Sequence, residues 1–178
     1  YRIIEAQDGE EGLDRSLECI PDLIISDVMM PKLDGFRLCG KLKTDPRTSH
    51  IPVIMLTAKA TMNDKINGLE TGADDYIMKP FEAAELRTRI KNLIEQRKRL
   101  HEHYRAYGIV EIEEKHITPV DQKFLQKAVE VINKHIADTS FGVEMLADDM
   151  AVSRSLLFKK IHALVGEPPS ELIKRTRL

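Results

Sequence analysis

The stretch Ile24-Ile25-Ser26-Asp27-Val28-Met29-Met30-Pro31 decides the fold of this chain. Its apolar start, together with Leu23, is typical of a short strand covered on both faces, because such a strand has no polar alternation. Asp27 ends the strand, and Pro31 followed by Asp34-Gly35 signals a turn. An acid at the carboxyl end of a buried strand lies where open α/β sheets bind their ligands. Taken alone, Asp27 could equally cap the next element.

Strands and helices alternate through the first 107 residues. Strands are predicted over residues 1–5, 23–27, 51–56 and 75–78, and helices over residues 10–19, 34–43, 63–71 and 82–107. This alternation indicates a parallel sheet with helices on both faces. Because the carboxyl ends of parallel strands share one edge, we expect Asp27, Thr57 and Lys79 to converge there.

From residue 119 onward the pattern is helical only. Helices are predicted over residues 120–137, 142–150 and 153–165, with a last helix starting near Ser170. Ser153 suits an N-cap and Gly166 a C-cap. Residues 108–119 carry no strong period, so we predict an α/β domain over 1–107, a linker over 108–119 and an all-α domain over 120–178.

The composition is that of a folded protein, since 42% of the residues are hydrophobic. The net charge of -2 does not suggest a general polyanion binder, but from Ser153 to the end six basic residues stand against two acids. Such local asymmetry can mark an anion-binding end. Cys19 and Cys39 have no paired spacing and are predicted to be reduced, core or near-core residues of a cytoplasmic protein. No apolar run of membrane-spanning length is present, so no membrane contact is expected.

A carboxylate, a hydroxyl and an ammonium group at one strand edge suit the acceptance of a phosphoryl group. Asp27 would be the nucleophile and form an acyl phosphate, while Thr57 and Lys79 would stabilise charge on the phosphoryl oxygens. Mg²⁺ suits a site of carboxylate, carbonyl oxygen and water. Each residue alone has a plainer explanation, as a strand-end cap or a surface lysine.

Three blocks of the first domain together resemble the receiver domain of bacterial response regulators. The resemblance covers about residues 1–105 and implies a flavodoxin-like, doubly wound parallel sheet. The blocks are Asp27-Val28-Met29-Met30-Pro31 with Asp34-Gly35, then Pro52-Val53-Ile54-Met55-Leu56-Thr57-Ala58, then Gly72-Ala73-Asp74-Asp75-Tyr76-Ile77-Met78-Lys79-Pro80-Phe81.

The resemblance assigns a role to each matching position. It implies that Asp27 accepts phosphate from a histidine kinase and that Thr57 is the switch hydroxyl. Lys79 would be the phosphate-pairing lysine, and Tyr76 the aromatic residue that reorients on activation. Asp27 and the main-chain carbonyl of Met29 would be metal ligands for Mg²⁺.

The chain departs from the receiver pattern at its start. Receivers begin with a central strand that ends in an acidic pair holding Mg²⁺, and this sequence starts after that strand. Unpaired backbone inside a sheet is costly, so we expect either a fragment of a longer receiver or a partner molecule in the gap. Mg²⁺ is therefore expected of the complete receiver and is in doubt for this chain.

The predicted helices 142–150 and 153–165 have the size of a helix-turn-helix, whose second helix enters the major groove of DNA. Leu157, Ile161 and Leu164 would form the buried face of that helix. The opposite face carries side chains that can reach bases or phosphates. These predicted DNA-binding residues are Arg154, Ser155, Phe158, Lys159 and His162. An ordinary solvated helix with a few positive charges is the alternative.

Four blocks of the second domain resemble the first half of an AraC-type DNA-binding domain, a family with two helix-turn-helix units joined by a long helix. The chain stops inside what would be the joining helix, so the second unit is not expected here. A receiver followed by this domain resembles the C-terminal part of hybrid two-component regulators and is equally compatible with a free-standing response regulator. The blocks are residues 141–147, 150–155, 159–161 and 166–171.

Both resemblances imply a two-component response regulator in the cytoplasm. A histidine kinase, in the same polypeptide or separate, would phosphorylate Asp27 and so control sequence-specific DNA binding by a homodimer. The alternative is a phosphorelay or dimerisation module whose helical tail binds protein. An enzyme such as an aspartate-nucleophile phosphatase is disfavoured, because the sequence has no small-molecule pocket signature.

Overall fold

Parallel strands form the centre of the first half of the chain. This computed structural model describes residues 2–58, 72–107 and 117–177. Within them, three strands pair in the order β1 (Ile24–Asp27), β2 (Val53–Thr57) and β3 (Asp75–Met78). The register sets Asp27 beside Leu56 and Thr57 beside Met78, so the carboxyl ends of the strands lie in one row.

The helices described with this sheet are α1 (Gly9–Cys19), α2 (Gly35–Thr44) and α3 (Ala83–Tyr107). Side-chain caps explain two of the starts. Asp8 accepts hydrogen bonds from the backbone of α1, and the Asp34 carboxylate accepts one from the Arg37 N–H at 2.9 Å. The apolar face of α2 packs on β2. This core contains Leu33, Leu38, Cys39, Leu42, Val53 and Met55.

Two predictions about the strands are wrong. Residues 2–5 form no strand, and Ile25 of β1 is 41% exposed although both faces of β1 were expected to be covered. A strand exists only where a neighbour accepts and donates its backbone hydrogen bonds. Among the described residues, β1 pairs with β2 alone, which leaves its other edge open. Tyr1 and the predicted helix over residues 63–71 lie outside the described residues.

The two cysteines occupy different environments. Cys39 is fully buried, and this burial raises the pKa of its thiol to about 11. Its place in the core of the α/β half agrees with the prediction. Cys19 is exposed at the end of α1, so the prediction of a core or near-core position is wrong for it.

The second half of the chain is helical, as predicted. Its described helices are α4 (Pro119–Lys134), α5 (Val143–Asp149), α6 (Arg154–Val165) and α7 (Pro169–Thr176). The Ser153 hydroxyl caps α6 by accepting from the Leu156 N–H at 3.1 Å, and Gly166 ends it with φ 75°. Both caps were predicted. Helix α4 ends three residues before the predicted 137, and Ile136 is exposed.

A separate apolar core holds these helices together. All of its buried members come from residues 125–173. They are Leu125, Ala128, Ile132, Phe141, Leu146, Ala147, Met150, Leu157, Ile161, Leu164, Val165, Leu172 and Ile173. The chain divides into a first unit, Tyr1–Gln96, and a second unit, Arg97–Leu178.

The boundary between the two units lies inside α3, before residue 107. Within the second unit, His101 Nε2 lies 2.9 Å from the Ala163 carbonyl oxygen, so the last turns of α3 contact α6. The predicted limits of 1–107, 108–119 and 120–178 stay a prediction, since residues 108–116 lie outside the described part. No helix among the described residues combines the length and apolar character needed to cross a membrane.

Candidate functional site

Asp27 and Lys79 meet at the carboxyl edge of the sheet. Asp27 ends β1, Lys79 directly follows β3, and the Lys79 ammonium group donates a hydrogen bond to Asp27 Oδ2. Thr57 ends β2, the strand between them, and its carbonyl accepts from the Lys79 N–H at 2.7 Å. The three residues predicted to converge therefore lie together. About a third of each charged side chain is exposed, 35% for Asp27 and 39% for Lys79, so a solvent-borne group can reach the carboxylate.

Backbone contacts hold Asp27 in place. The Val28 N–H donates to the Leu56 carbonyl at 2.9 Å, and the Val28 carbonyl accepts from the Gly35 N–H at 2.9 Å. A Cβ at Gly35 would lie 2.2 Å from the Asp27 carbonyl oxygen. Only glycine allows α2 to begin this close to the strand end. The turn after β1 is thus fixed between the sheet and the first residue of α2.

The other Asp27 oxygen faces the turn that follows the strand. Oδ1 accepts from the Met29 N–H at 3.2 Å, a long hydrogen bond. The Met29 side chain itself is 80% exposed. One carboxylate oxygen is therefore paired with Lys79 and the other is held only weakly.

Tyr76 lies in the middle of β3 and pairs in register with Met55. It is half-buried and packs against the core of the first unit. Because side chains alternate along a strand, Thr57 lies on the same face of the sheet as Met55 and Tyr76. The two residues that the resemblance couples in switching thus share one sheet face.

The donors at this edge can be compared with what Mg²⁺ requires. Among the described residues, no group of three or more His, Cys, Asp or Glu side chains could hold a metal ion. The predicted ligands are the Asp27 carboxylate and the Met29 carbonyl. Mg²⁺ commonly keeps several waters and takes one or two carboxylates plus phosphate oxygens. These residues fit an ion that binds together with a phosphoryl group, and they do not form an all-protein cage.

The five predicted DNA-binding residues are all exposed on α6. The Phe158 ring is 49% exposed and stacks on His162 with 6.1 Å between ring centroids. Arg154 Nη1 lies 2.8 Å from Glu144 Oε1 in the first turn of α5, and both side chains are exposed. The ion pair with Glu144 was not predicted from the sequence, because it joins two helices.

Lys160 is one of the six basic residues counted towards a basic C-terminal end, but the structure buries it. Its side chain is fully buried, and its Nζ lies 2.8 Å from Asp121 Oδ1. Lys160 therefore adds nothing to a basic surface. Two signals were present: Lys160 lies between Leu157 and Ile161 on the apolar stripe of α6, and Asp121 stands three residues after Thr118 in a capping-box spacing.

Comparison with known proteins gives a family for the first half. Residues 1–91 match the model of the response regulator receiver domain. Histidine kinase P4 of Formosa agariphila is 41% identical over all 178 residues, which make up 13% of that protein. The DNA-binding dual master transcriptional regulator RpaA of Synechocystis is 44% identical over 100 residues, 56% of this chain and 42% of that protein. The chain thus spans less than half the length of either relative.

Solved structures agree with this family. The signal receiver domain of a signal transduction histidine kinase from Syntrophus aciditrophicus is 41% identical, with a TM-score of 0.52, and the match covers 56% of this chain and 75% of that one. A response regulator receiver domain protein from Methanospirillum hungatei is 27% identical, with a TM-score of 0.52, covering 56% and 78%. The parallel sheet with its helices is the flavodoxin-like receiver fold, and the chain belongs to the response regulator receiver domain family.

Proposed function

We propose that this chain is the receiver and the first helix-turn-helix unit of a two-component transcription regulator. Asp27 accepts a phosphoryl group from the phosphohistidine of a kinase, and its modification controls DNA binding by α6. The observation that carries the proposal is the contact between Lys79 and the Asp27 carboxylate at the strand edge. Both arrangements of the kinase, in the same polypeptide or as a separate protein, are compatible with the relatives, which include a histidine kinase and a transcription regulator.

The chemistry of the first unit follows from its charges. One Asp27 oxygen attacks phosphorus, the bond from phosphorus to the histidine nitrogen breaks, and the imidazole takes up a proton. Lys79 offsets the negative charge that gathers on the phosphoryl oxygens. Mg²⁺, held by Asp27 and the Met29 carbonyl, would supply further charge stabilisation. Thr57 turns its hydroxyl towards the phosphoryl group, and the Tyr76 ring follows into the space on the same sheet face.

The second unit would read DNA as half of an AraC-type domain. Helix α6 presents Arg154 and Ser155 in its first turn, where helix-turn-helix proteins contact bases. Phe158, Lys159 and His162 continue the exposed face. The complete protein acts as a phosphorylation-dependent homodimer on a repeated site. Exposure of these side chains and burial of Leu157, Ile161 and Leu164 support this orientation.

The first test is phosphorylation of the protein that contains this chain. Acetyl phosphate with Mg²⁺ should add one phosphoryl group and raise the fraction of dimer in sedimentation. Asp27→Asn should abolish both effects, and Thr57→Ala should keep the labelling but weaken the dimer. Undiminished labelling of Asp27→Asn would show that another residue is the acceptor.

The second test addresses DNA binding in a salt series on the same protein. Arg154→Ala and Lys159→Ala should weaken binding, and loss of a phosphate contact should flatten the slope of affinity against salt by about one unit. Lys123→Ala is the matched control, because Lys123 is an exposed cation on a different helix, α4, and is not one of the predicted DNA-binding residues. If both α6 variants bind DNA like the control, the helical unit binds protein instead, and the phosphorelay or dimerisation module is the better description.

A further inference from the structure

A buried ion pair joins the first turn of α4 to the middle of α6. Lys160 Nζ lies 2.8 Å from Asp121 Oδ1, and the two side chains are 0% and 2% exposed. Lysine and aspartate are rarely found fully buried. The pair is thus the one place in the described core of the second unit where two opposite charges meet out of contact with water.

Both oxygens of Asp121 have protein partners. Oδ1 faces Lys160, and Oδ2 accepts from the Thr118 hydroxyl at 2.8 Å. Thr118 in turn caps α4 by accepting from the Asp121 N–H at 3.1 Å. On the other side, the Lys160 ammonium group lies 4.8 Å from the centre of the Phe124 ring. The Asp121 carboxylate therefore contacts both the capping residue at the start of α4 and the buried face of α6.

Stability does not explain such a pair. Removing two charges from water costs free energy that their attraction offsets only in good geometry, and apolar replacements are often neutral or stabilising. What a buried ion pair adds is a defined rotation of the helix about its own axis. Apolar cores accept repacking and small rotations, whereas a rotation of α6 would leave two charges buried and unpaired.

The sequence shows why the rotation of α6 matters for its exposed face. Lys159 and Lys160 are adjacent, and successive residues of a helix point about 100° apart. Lys159, one of the predicted DNA-binding residues, is exposed, while Lys160 is buried. We propose that Asp121 and Lys160 are positioning residues that fix the rotation of α6, so that Arg154, Lys159 and His162 face outward to read DNA. This inference rests on the proposed function of α6.

The test replaces both charges at once in the protein that contains this chain. Asp121→Leu with Lys160→Met removes the pair and leaves an apolar contact, so the second unit should keep its fold. Ile132→Val is the matched control, because Ile132 is buried in the same core and does not belong to the pair. The unmodified protein first selects duplexes from a random pool. Each variant is then titrated with the selected duplex and with an unselected one, and its α6 amide shifts are recorded by NMR.

Compared with the unmodified protein, the double variant should bind the selected duplex about tenfold more weakly, which is the effect of about one mismatched base pair. Its affinity for the unselected duplex should stay within about twofold of that of the unmodified protein. The amides of Phe158, Lys159 and His162 should shift more than in the control. Equal affinity for the selected duplex, within about twofold, would overturn the inference even if the melting temperature changes, because α6 would then read DNA without the pair.

Two further outcomes are informative. If the double variant does not fold, Lys160→Arg keeps the charge with a different reach, and it should lower affinity for the selected duplex while the melting temperature is retained. Full affinity of Lys160→Arg would contradict positioning. If the unmodified protein selects no sequence, the proposed function fails, and α6 amide shifts no larger than those of Ile132→Val would overturn the positioning role as well.

Discussion

Asp8 joins two segments of the first unit through a single carboxylate. Its Oδ1 accepts from the N–H groups of Glu10 and Glu11, both at 3.0 Å, and thereby caps α1. Its Oδ2 lies 2.6 Å from Lys32 Nζ, in the turn between β1 and α2. The Lys32 hydrogen bond, followed by that of the Glu11 N–H, lowers the pKa of Asp8 below its ordinary value of 3.8.

The lowered pKa of Asp8 predicts a pH-dependent stability. Since the folded state binds the proton less tightly than the unfolded state, the ionised carboxylate stabilises the fold above the ordinary pKa. That contribution is lost as the pH falls through the lower, folded pKa. Asp8→Asn keeps a good capping side chain, so it should destabilise the first unit at pH 7 and have less effect in acid.

Urea unfolding at pH 7 and at a pH below the ordinary pKa measures this difference. Asp14→Asn is the control, because Asp14 is an exposed aspartate of the same helix. An equal effect of Asp8→Asn at both pH values would mean that its charge does not contribute.

At the level of elements, the end of α6 is shaped by a neighbouring helix. The Gly166 N–H donates to the His162 carbonyl at 2.9 Å and closes α6 in the left-handed conformation. A Cβ at Gly166 would lie 2.6 Å from His101 Cγ in the last turns of α3. His101 Nε2 also lies 2.9 Å from the Ala163 carbonyl oxygen. The C-cap and the ring of His101 therefore occupy one tightly packed contact.

Gly166→Ala should destabilise the second unit for two reasons. The left-handed conformation costs a non-glycine residue about 1–2 kcal/mol, and the new methyl group would collide with His101. Removal of the ring in His101→Ala should relieve the collision, so the double variant should be more stable than the sum of the single effects. Chemical unfolding of the unmodified protein, the two single variants and the double variant measures the free energy of coupling between Gly166 and His101. Additive losses would mean that the ring and the cap do not touch in solution.

For the whole molecule, the two apolar cores are built from separate parts of the chain. Leu42 is fully buried in the core of the first unit, and Leu157 is fully buried in that of the second. Each core has its own sheet or helices to hold it together. Damage to one core should therefore remain in the unit that contains it.

Leu42→Ala and Leu157→Ala form a matched pair for this prediction. Each should cost about 2–5 kcal/mol through lost burial and a cavity. Hydrogen exchange should show lost protection in the first unit for Leu42→Ala and in the second for Leu157→Ala. Phosphorylation of Asp27 should survive Leu157→Ala. Loss of protection in both units from either change would show that the chain unfolds as one cooperative body.

Local patterns in the sequence predicted much of the structure. Helix hydrogen bonds and caps join residues within a few positions, so the caps Ser153 and Gly166 and most helix limits could be predicted. Asp27, Thr57 and Lys79 could be placed on one edge, because each lies at the carboxyl end of a strand in a parallel arrangement. Their roles in phosphoryl transfer remain a proposal based on the resemblance.

Only the tertiary structure decided the features that depend on residues far apart in the chain. Residues 2–5 have strand-forming side chains yet form no strand, since pairing requires a neighbour that local sequence cannot supply. Lys160 falls on the apolar stripe of α6, but only the fold brings Asp121 of another helix within 2.8 Å of its buried ammonium group. The physical reason is common to both cases: local propensity sets the backbone of a helix, whereas strand pairing and charge burial are set by the partner across the fold.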